Sequence, residues 1–347
     1  MYFLFVKTRA GGSSYLRRRS SRKISSTKTN TSPNPRGHAN HPPRFETPTT
    51  MQPVTGASIS SAAASMPPCL RSFKPSVRPI PYFRIRRFKN RLACMPNQHS
   101  KATIISMAVI ASAAATLLHE GLGHGVTAWL RGDIPTELTS NHLSSLIPDR
   151  LVDAGGTIVN LIAGALALLA ARGAGKRANL RYFLWIFAAL NLLPGAGYFM
   201  FSGIFGFGDW NAVIGGLPHQ AALRIGMTIF GLALYVLVVR LLAIAIRPFV
   251  ADRPMYNTVG RLPYYAACLF SCIAGAFDPL GIKLLLVSTI PAAFGGSSGL
   301  MWADNLIPPP APDQPLTVQR QPAWWVAAAV LGLAYIIVLG RGIQFAH

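Results

Sequence analysis

The sequence predicts an all-α fold, a polytopic membrane helix bundle with about six transmembrane helices. The chain of 347 residues is 51% hydrophobic with a mean hydropathy of +0.35, which is too apolar for an ordinary soluble domain. From residue 103 onward, apolar windows of about 20 residues recur, and this is the length of helix that crosses a bilayer. The lipid bilayer is therefore the expected surrounding of this part of the chain.

Six predicted spans follow from these windows. They cover residues 103–127, 152–172, 182–205, 222–246, 264–299 and 323–341. The fifth window is too long for one crossing, and Asp278 and Pro279 lie where proline would break it into two short helices. Between five and seven crossings are therefore compatible with the pattern.

Residues 1–100 are predicted to be a disordered basic segment, and residues 101–347 a multi-span membrane domain. The first hundred residues hold eighteen Lys and Arg and one acid, Glu46, out of a chain charge of +22. They are rich in Ser, Pro and Arg, which resembles an organelle transit peptide, whereas Met95 is an alternative start that would leave residues 1–94 untranslated. Because +17 of the +22 lies in this segment and the rest of the chain is only mildly basic, no nucleic-acid partner is predicted.

The positive charges of the short loops predict the orientation. The stretch RGAGKRANLR at 172–181 is strongly basic and is expected to be cytoplasmic, which also places the N-terminus inside. Loops 128–151 and 206–221 then fall on the opposite side. The far ends of the first and third spans are therefore expected to lie together.

The stretch LLHEGLGHGV contains the candidate chemistry. Zinc proteases carry two His four residues apart on one helix, with a Glu that activates a bound water. Here His119 and His124 are five residues apart, about 140° on a regular helix, and Glu120 follows the first of them. A π-turn would bring the two imidazoles together, and Gly121 and Gly123 should ease that distortion.

Ionisable groups inside a membrane span are expensive and usually functional. Three of them within six residues, in the order of a metal site, favour metal binding over polar packing between helices for His119, Glu120 and His124.

The HEGLGHG run in a multi-span chain resembles the intramembrane zinc metalloproteases of the site-2 protease family. That family carries His-Glu-x-x-His on one membrane helix and Asn-x-x-Pro…Asp on a later one. Asn191 and Pro194 match the start of the second motif, and Asp209 is the candidate for its aspartate. Two features depart from the family: the His spacing, and the fifteen residues from Pro194 to Asp209. The dipeptidyl peptidase III family has five-residue His spacing, so this spacing is compatible with zinc.

The resemblance implies a site and a reaction. Zn²⁺ would be held by His119, His124 and Asp209, Glu120 would be the general base, and Asn191 would fix the substrate strand. The implied substrate is a membrane protein or peptide. A non-catalytic membrane scaffold with a degenerate motif and a metal-handling membrane protein are the alternative interpretations.

Asp209 must return to the histidines for this site to form. A continuous helix from residue 182 would carry Asp209 about 40 Å from its start, beyond the histidines. Pro194, Gly195 and Gly197 therefore predict a broken helix that folds Asp209 back. The alternative is that Asp209 caps the next helix.

Four further polar residues receive structural interpretations. Asp153 is expected to serve as a loop or cap residue rather than as a spare ligand, and Asn160 as a hydrogen-bonding residue between helices rather than a substrate contact. His142 and His219 fall in outer loops and are expected to be solvated.

Overall fold

The computed structural model describes residues 98–309, 312 and 314–345, and these are mostly helical. Residues 1–97, for which the sequence predicts disorder, lie outside this description. His99 belongs to the same predicted segment, but it is buried, and its ring nitrogens bond to the Phe249 carbonyl (3.1 Å) and the Val318 amide (3.2 Å). The packed part of the chain therefore begins before residue 100.

Four helices are long and apolar enough to cross a membrane, and they coincide with the first four predicted spans. They are α1 (Lys101–Leu130), α2 (Arg150–Gly173), α3 (Ala178–Phe205) and α5 (Gln220–Phe249), with the short α4 (Asp209–Val213) before α5. Ser100 caps the start of α1, where its hydroxyl accepts from the Thr103 amide, and Asp149 caps α2 by accepting from Leu151.

The last two predicted spans form shorter helices. The chain runs through α6 (Arg253–Tyr256), a π-helical turn (Asn257–Arg261), α7 (Leu262–Gly275), α8 (Ile282–Gly296), 3₁₀ turns at Ser298–Met301 and Ala303–Leu306, and α9 (Pro322–Val338). Asp278 closes the turn between α7 and α8 by accepting from the Leu280 amide at 2.9 Å. The predicted break at Asp278 and Pro279 is confirmed, and the count of six crossings stays a prediction.

Helix α3 is the most buried of the four long helices. Its fully buried Tyr182 donates to the Val259 carbonyl (2.8 Å), and its Trp185 donates to the Leu242 carbonyl (3.0 Å). Because both polar atoms are satisfied, these large side chains can pack in the core without a desolvation penalty. Helix α3 therefore lies centrally, with α2 and α5 as its main neighbours.

The predicted break in α3 is wrong. The helix continues through Pro194, Gly195 and Gly197 to Phe205. Leu190 and Pro194 both line a cavity, and the Pro194 ring lies beside Gly296, which has no side chain.

The described residues also include a small antiparallel sheet, which corrects the all-α prediction. It consists of β1 (Pro135–Leu138), β2 (Leu143–Ser145) and β3 (Ile343–Gln344) in the order β2-β1-β3. Strands of two to four residues are too short to give an alternating sequence pattern, so periodicity did not reveal them. Pairing of β3 with β1 attaches the end of the chain to the loop that follows α1.

Candidate metal centre

Helix α1 contains a π-helical segment, Leu118–Val126, which carries both candidate histidines. In a π-helix residues five apart are hydrogen-bonded neighbours. The Nε2 atoms of His119 and His124 consequently lie 3.2 Å apart, with ring centroids 4.8 Å apart and the rings nearly perpendicular. The predicted π distortion between the two histidines is confirmed.

Asp209 reaches these histidines after a tight turn that follows α3. Gly206 (φ 69°) and Gly208 (φ 86°) adopt positive φ values that favour glycine, and they reverse the chain between Phe205 and Asp209. Asp209 Oδ2 then lies 3.2 Å from His119 Nε2 and 3.6 Å from His124 Nε2. Gly208 is the cap of α4 and Asp209 is its first helical residue, so the capping alternative is wrong.

The three ligand atoms have the separations that a metal ion requires. Tetrahedral zinc, bonded at about 2.0–2.2 Å, holds its ligand atoms about 3.3–3.6 Å apart. The observed separations are 3.2, 3.2 and 3.6 Å. Asp209 Oδ2 is buried yet has no properly directed hydrogen bond among the described residues, which indicates that the atoms converge on a common point. His119, His124 and Asp209 thus form a group that could hold a metal ion.

The charge of Asp209 suits this role. Burial would raise its pKa, but the neighbouring His119 and His124 imidazoles outweigh burial and hold the pKa below its usual value. The carboxylate is therefore ionised and available as a ligand.

Gly156 of α2 leaves the space in which the three ligand atoms meet. A Cβ atom at Gly156 would lie 2.5 Å from His124 Nε2 and 2.6 Å from His119 Nε2. Gly123 of the π segment packs directly on the backbone of Gly155 and Gly156, where it has no room for a side chain. Gly123 was expected to ease the π distortion. In the structure, its lack of a side chain allows the close approach of α1 to α2.

The two imidazoles are held in different ways. His124 Nδ1 lies 2.7 Å from the Val152 carbonyl oxygen, which orients its ring and leaves Nε2 for a ligand. His119 Nδ1 is buried and has no hydrogen-bond partner among the described residues. Instead, the ring of Tyr198 stacks on the His119 ring, with centroids 5.1 Å apart and planes inclined by 17°.

A cavity of about 120 Å³ lies beside His119, and Glu120, Asn160 and Tyr198 also line it. Glu120 is only 6% exposed, so its carboxylate belongs to the interior of the bundle. Small polar side chains from other elements make up much of the remaining wall: Ser112, Thr116, Ser140, Asn141, Ser271, Ser288, Thr289 and Ser297.

Asn191 does not line this cavity. Its amide donates to the Phe187 carbonyl at 2.8 Å, and it packs against Gly164 of α2. Tyr198, which stacks on His119, lies two helical turns away from Asn191 along α3, a rise of about 10 Å. Asn191, which matches the sequence motif, therefore lies deeper in the bundle than the metal ligands, about 10 Å along α3 from the level of Tyr198.

Asn160 was expected to form hydrogen bonds between helices rather than to contact a substrate. It lines the cavity, and its Oδ1 atom is buried without a hydrogen-bond partner among the described residues.

Asp153 lies in the first turn of α2, where Asp149 is the cap, so the capping role expected of Asp153 is wrong. Asp153 is instead close enough to Asp209 and His124 to interact with them electrostatically.

The β1–β2 hairpin covers one side of the cavity, which the sequence did not indicate. Asn141 donates to Asp278 (3.0 Å) and accepts from Thr289 (2.8 Å), and it lines the cavity together with Ser140. Asp278 and Thr289 are more than 100 residues from the hairpin in sequence, so no local pattern could have found these contacts.

His142 was expected to be solvated, but its Nε2 lies 3.4 Å from Glu137 Oε2 and its Nδ1 lies 3.7 Å from Asp278 Oδ2. His219 is exposed, as expected.

Comparisons with protein-family models, with curated proteins and with solved structures found no match. The fold and site define a mostly helical protein with four helices able to cross a membrane and a buried group of two histidines and one aspartate that could hold a metal ion.

Proposed function

We propose that this chain is a membrane-embedded zinc metallopeptidase that cleaves peptide bonds of membrane-associated substrates. The observation that carries the proposal is the convergence of His119, His124 and Asp209 beside a polar cavity whose wall includes Glu120. The site-2 protease-like motifs of the sequence support the same class of enzyme.

The ligand set favours zinc among the common metals. Two imidazoles and one carboxylate are typical of zinc, whereas magnesium and calcium prefer oxygen ligands only. Catalytic zinc sites have three protein ligands and keep a further position for water or substrate, and structural sites have four. Only three candidate ligands converge among the described residues, so the arrangement favours a catalytic site.

Zinc, when bound, would lower the pKa of water to roughly 7 and polarise the peptide carbonyl. Glu120 follows the first ligand directly in the sequence and is buried in the cavity wall, where it would accept the proton from the attacking water. Burial of Glu120 keeps bulk water from competing for that proton.

The substrate would be a peptide segment in an extended conformation. An extended backbone carries unpaired amide and carbonyl groups that need partners inside a membrane protein. The hydroxyl and amide side chains of the cavity supply such partners, and Asn160 Oδ1, which has no hydrogen-bond partner in the described part of the chain, is suited to accept from a substrate amide. The resemblance implies this contact for Asn191, and we assign it to Asn160 because Asn191 lies outside the cavity wall.

Metal analysis together with one conservative variant tests the proposal. We expect about one zinc per purified full-length chain, and we expect its loss in the His119→Ala/His124→Ala double variant. Glu120→Gln keeps the shape of the side chain but cannot accept a proton. It should therefore retain zinc while cleavage of a randomised set of quenched fluorescent peptides in proteoliposomes falls by about 10²–10⁴-fold.

Each alternative has its own outcome in this experiment. Stoichiometric zinc without Glu120-dependent cleavage would favour the metal-handling protein. Equal metal content in the wild type and the double variant would rule out a metal centre at these histidines and favour the non-catalytic scaffold.

A further inference from the structure

The asymmetry between the two histidines raises the question of what orients His119. Metal-binding histidines generally donate their second ring N–H to a carbonyl or carboxylate, which fixes the direction of the ligating nitrogen. His124 follows this rule through the Val152 carbonyl. His119 does not, because its Nδ1 atom is buried without a hydrogen-bond partner among the described residues.

Tyr198 provides the contact that this hydrogen bond would otherwise supply. Its ring lies nearly parallel to the His119 ring, with centroids 5.1 Å apart and an interplanar angle of 17°. Stacking of this kind restricts rotation of an imidazole about its Cβ–Cγ bond, because any large rotation breaks the contact between the two faces. Gly156, which also lies beside His119 Nε2, has no side chain to constrain the ring.

The position of Tyr198 also connects His119 to the third ligand. Tyr198 lies on α3, and the end of α3 delivers Asp209 through the turn at Gly206 and Gly208. The phenol is close enough to Asp209 and Glu120 to interact electrostatically with both carboxylates. A ring stacked at this point sets the distance between α3 and the π segment of α1, which is the distance that brings Asp209 to the histidines.

We propose that Tyr198 is a positioning residue of the metal centre, whose ring, and not its hydroxyl group, holds His119 Nε2 toward His124 and Asp209. This inference rests on the proposed metal centre, and it is independent of whether the centre hydrolyses peptides.

Zinc affinity of the purified full-length protein, measured by competition with a chromophoric chelator, tests the inference. Tyr198→Phe keeps the stacked ring and should bind zinc within about 3-fold of the wild type. Tyr198→Leu removes the ring and should weaken zinc binding by about 10–100-fold, the range seen when an outer-shell partner of a ligand is lost. Tyr198→Met, which fills the volume without a planar face, replaces Tyr198→Leu if the leucine variant does not fold.

Phe183→Leu is the matched control. It removes an aromatic ring from the same helix, at a position that packs against Phe187 and Trp324 rather than against a ligand. Zinc affinity should not change in this variant, even if its thermal stability falls.

A double-mutant cycle separates positioning of His119 from a general effect on the fold. In a His119→Ala background, Tyr198→Leu should cause no further loss of zinc affinity, because the ring no longer has a ligand to orient. Additive losses in the double variant, wild-type affinity in Tyr198→Leu, or an equal loss in Tyr198→Phe would each overturn the inference. Wild-type protein that binds no zinc would overturn the metal centre itself, whereas the expected affinities without any peptide cleavage would overturn only the peptidase.

Discussion

The Nε2 atoms of His119 and His124 lie 3.2 Å apart, although a regular helix would turn residues of this spacing about 140° away from each other. The π-helical segment Leu118–Val126 absorbs the extra residue and restores a shared face. The five-residue spacing is therefore compatible with a two-histidine metal site on one continuous helix.

Gly156→Ala should abolish metal binding while the protein still folds as a helical bundle. The added methyl group would lie 2.5–2.6 Å from the two histidine Nε2 atoms, so it would occupy the space where the three ligands meet. We expect zinc affinity to fall by about 100-fold or more, by comparison with the loss of a ligand-supporting contact. Titration with a zinc chelator measures this loss.

Gly173→Ala is the matched control, because Gly173 ends the same helix and a Cβ atom there would meet no described atom within 4 Å. It should leave zinc affinity unchanged. Equal zinc affinity in Gly156→Ala and Gly173→Ala would contradict the position of the metal.

Deletion of Leu122 should impair the site even though it creates the standard HEGGH spacing. Removal of Leu122 either turns the rest of the helix by about 100° or closes the π segment into a regular turn, and both changes displace Gly123 from its contact with Gly155 and Gly156. We expect loss of zinc and a lower thermal unfolding midpoint. Leu122→Ala is the control: Leu122 is 46% exposed, so truncation without deletion should preserve zinc binding. A deletion variant that binds zinc as the wild type does would show that the π segment is dispensable.

The parts of the site that could be predicted from the sequence are those encoded by a short, continuous stretch of residues. The order of His119, Glu120 and His124 within six residues specifies ligand types, and the excess residue specifies a π-turn because only that distortion restores a common face. Hydropathy likewise gave the four long helices, since about 20 apolar residues are needed for a crossing.

The parts that could not be predicted depend on contacts between distant segments. Pro194 indicated a broken helix, but whether a proline interrupts a helix depends on what surrounds it, and Pro194 faces a cavity. Asn191 matched a motif, yet the turn that returns Asp209 lies so far along α3 that Asn191 falls about 10 Å from the level of Tyr198. Tyr198 itself has no local signal, because stacking on His119 is a property of how α1 and α3 pack.

Asn160 and Asn191 should differ in their effect on peptide cleavage. Asn160→Leu removes a free acceptor from the cavity wall, and loss of one neutral hydrogen bond to substrate should lower kcat/KM by about 5–10-fold. Asn191→Leu removes a hydrogen bond to the Phe187 carbonyl together with a buried Oδ1 that has no partner among the described residues, so the loss of stability should be about 1 kcal/mol or less and cleavage should be retained. Measurement of kcat/KM for both variants on the same peptide tests this expectation. A larger loss of kcat/KM in Asn191→Leu than in Asn160→Leu would assign substrate binding to Asn191.

Impermeant maleimide labelling should place the metal centre at the non-cytoplasmic side of the membrane. The basic loop 172–181 lies at the same end of the bundle as the start of α1, because Asn179 bonds to the Gln319 backbone and the Gln321 amide bonds to Thr103. Positive charge retains such loops in the cytoplasm.

In a protein whose four native cysteines are replaced, Lys176→Cys should therefore react only from the cytoplasmic side. Pro218→Cys, in the loop after α4, should react only from the opposite side. Labelling of Lys176→Cys from the non-cytoplasmic side would reverse the orientation. It would leave the separations of His119, His124 and Asp209 unaffected, since these depend on packing within the chain and not on which side of the bilayer they face.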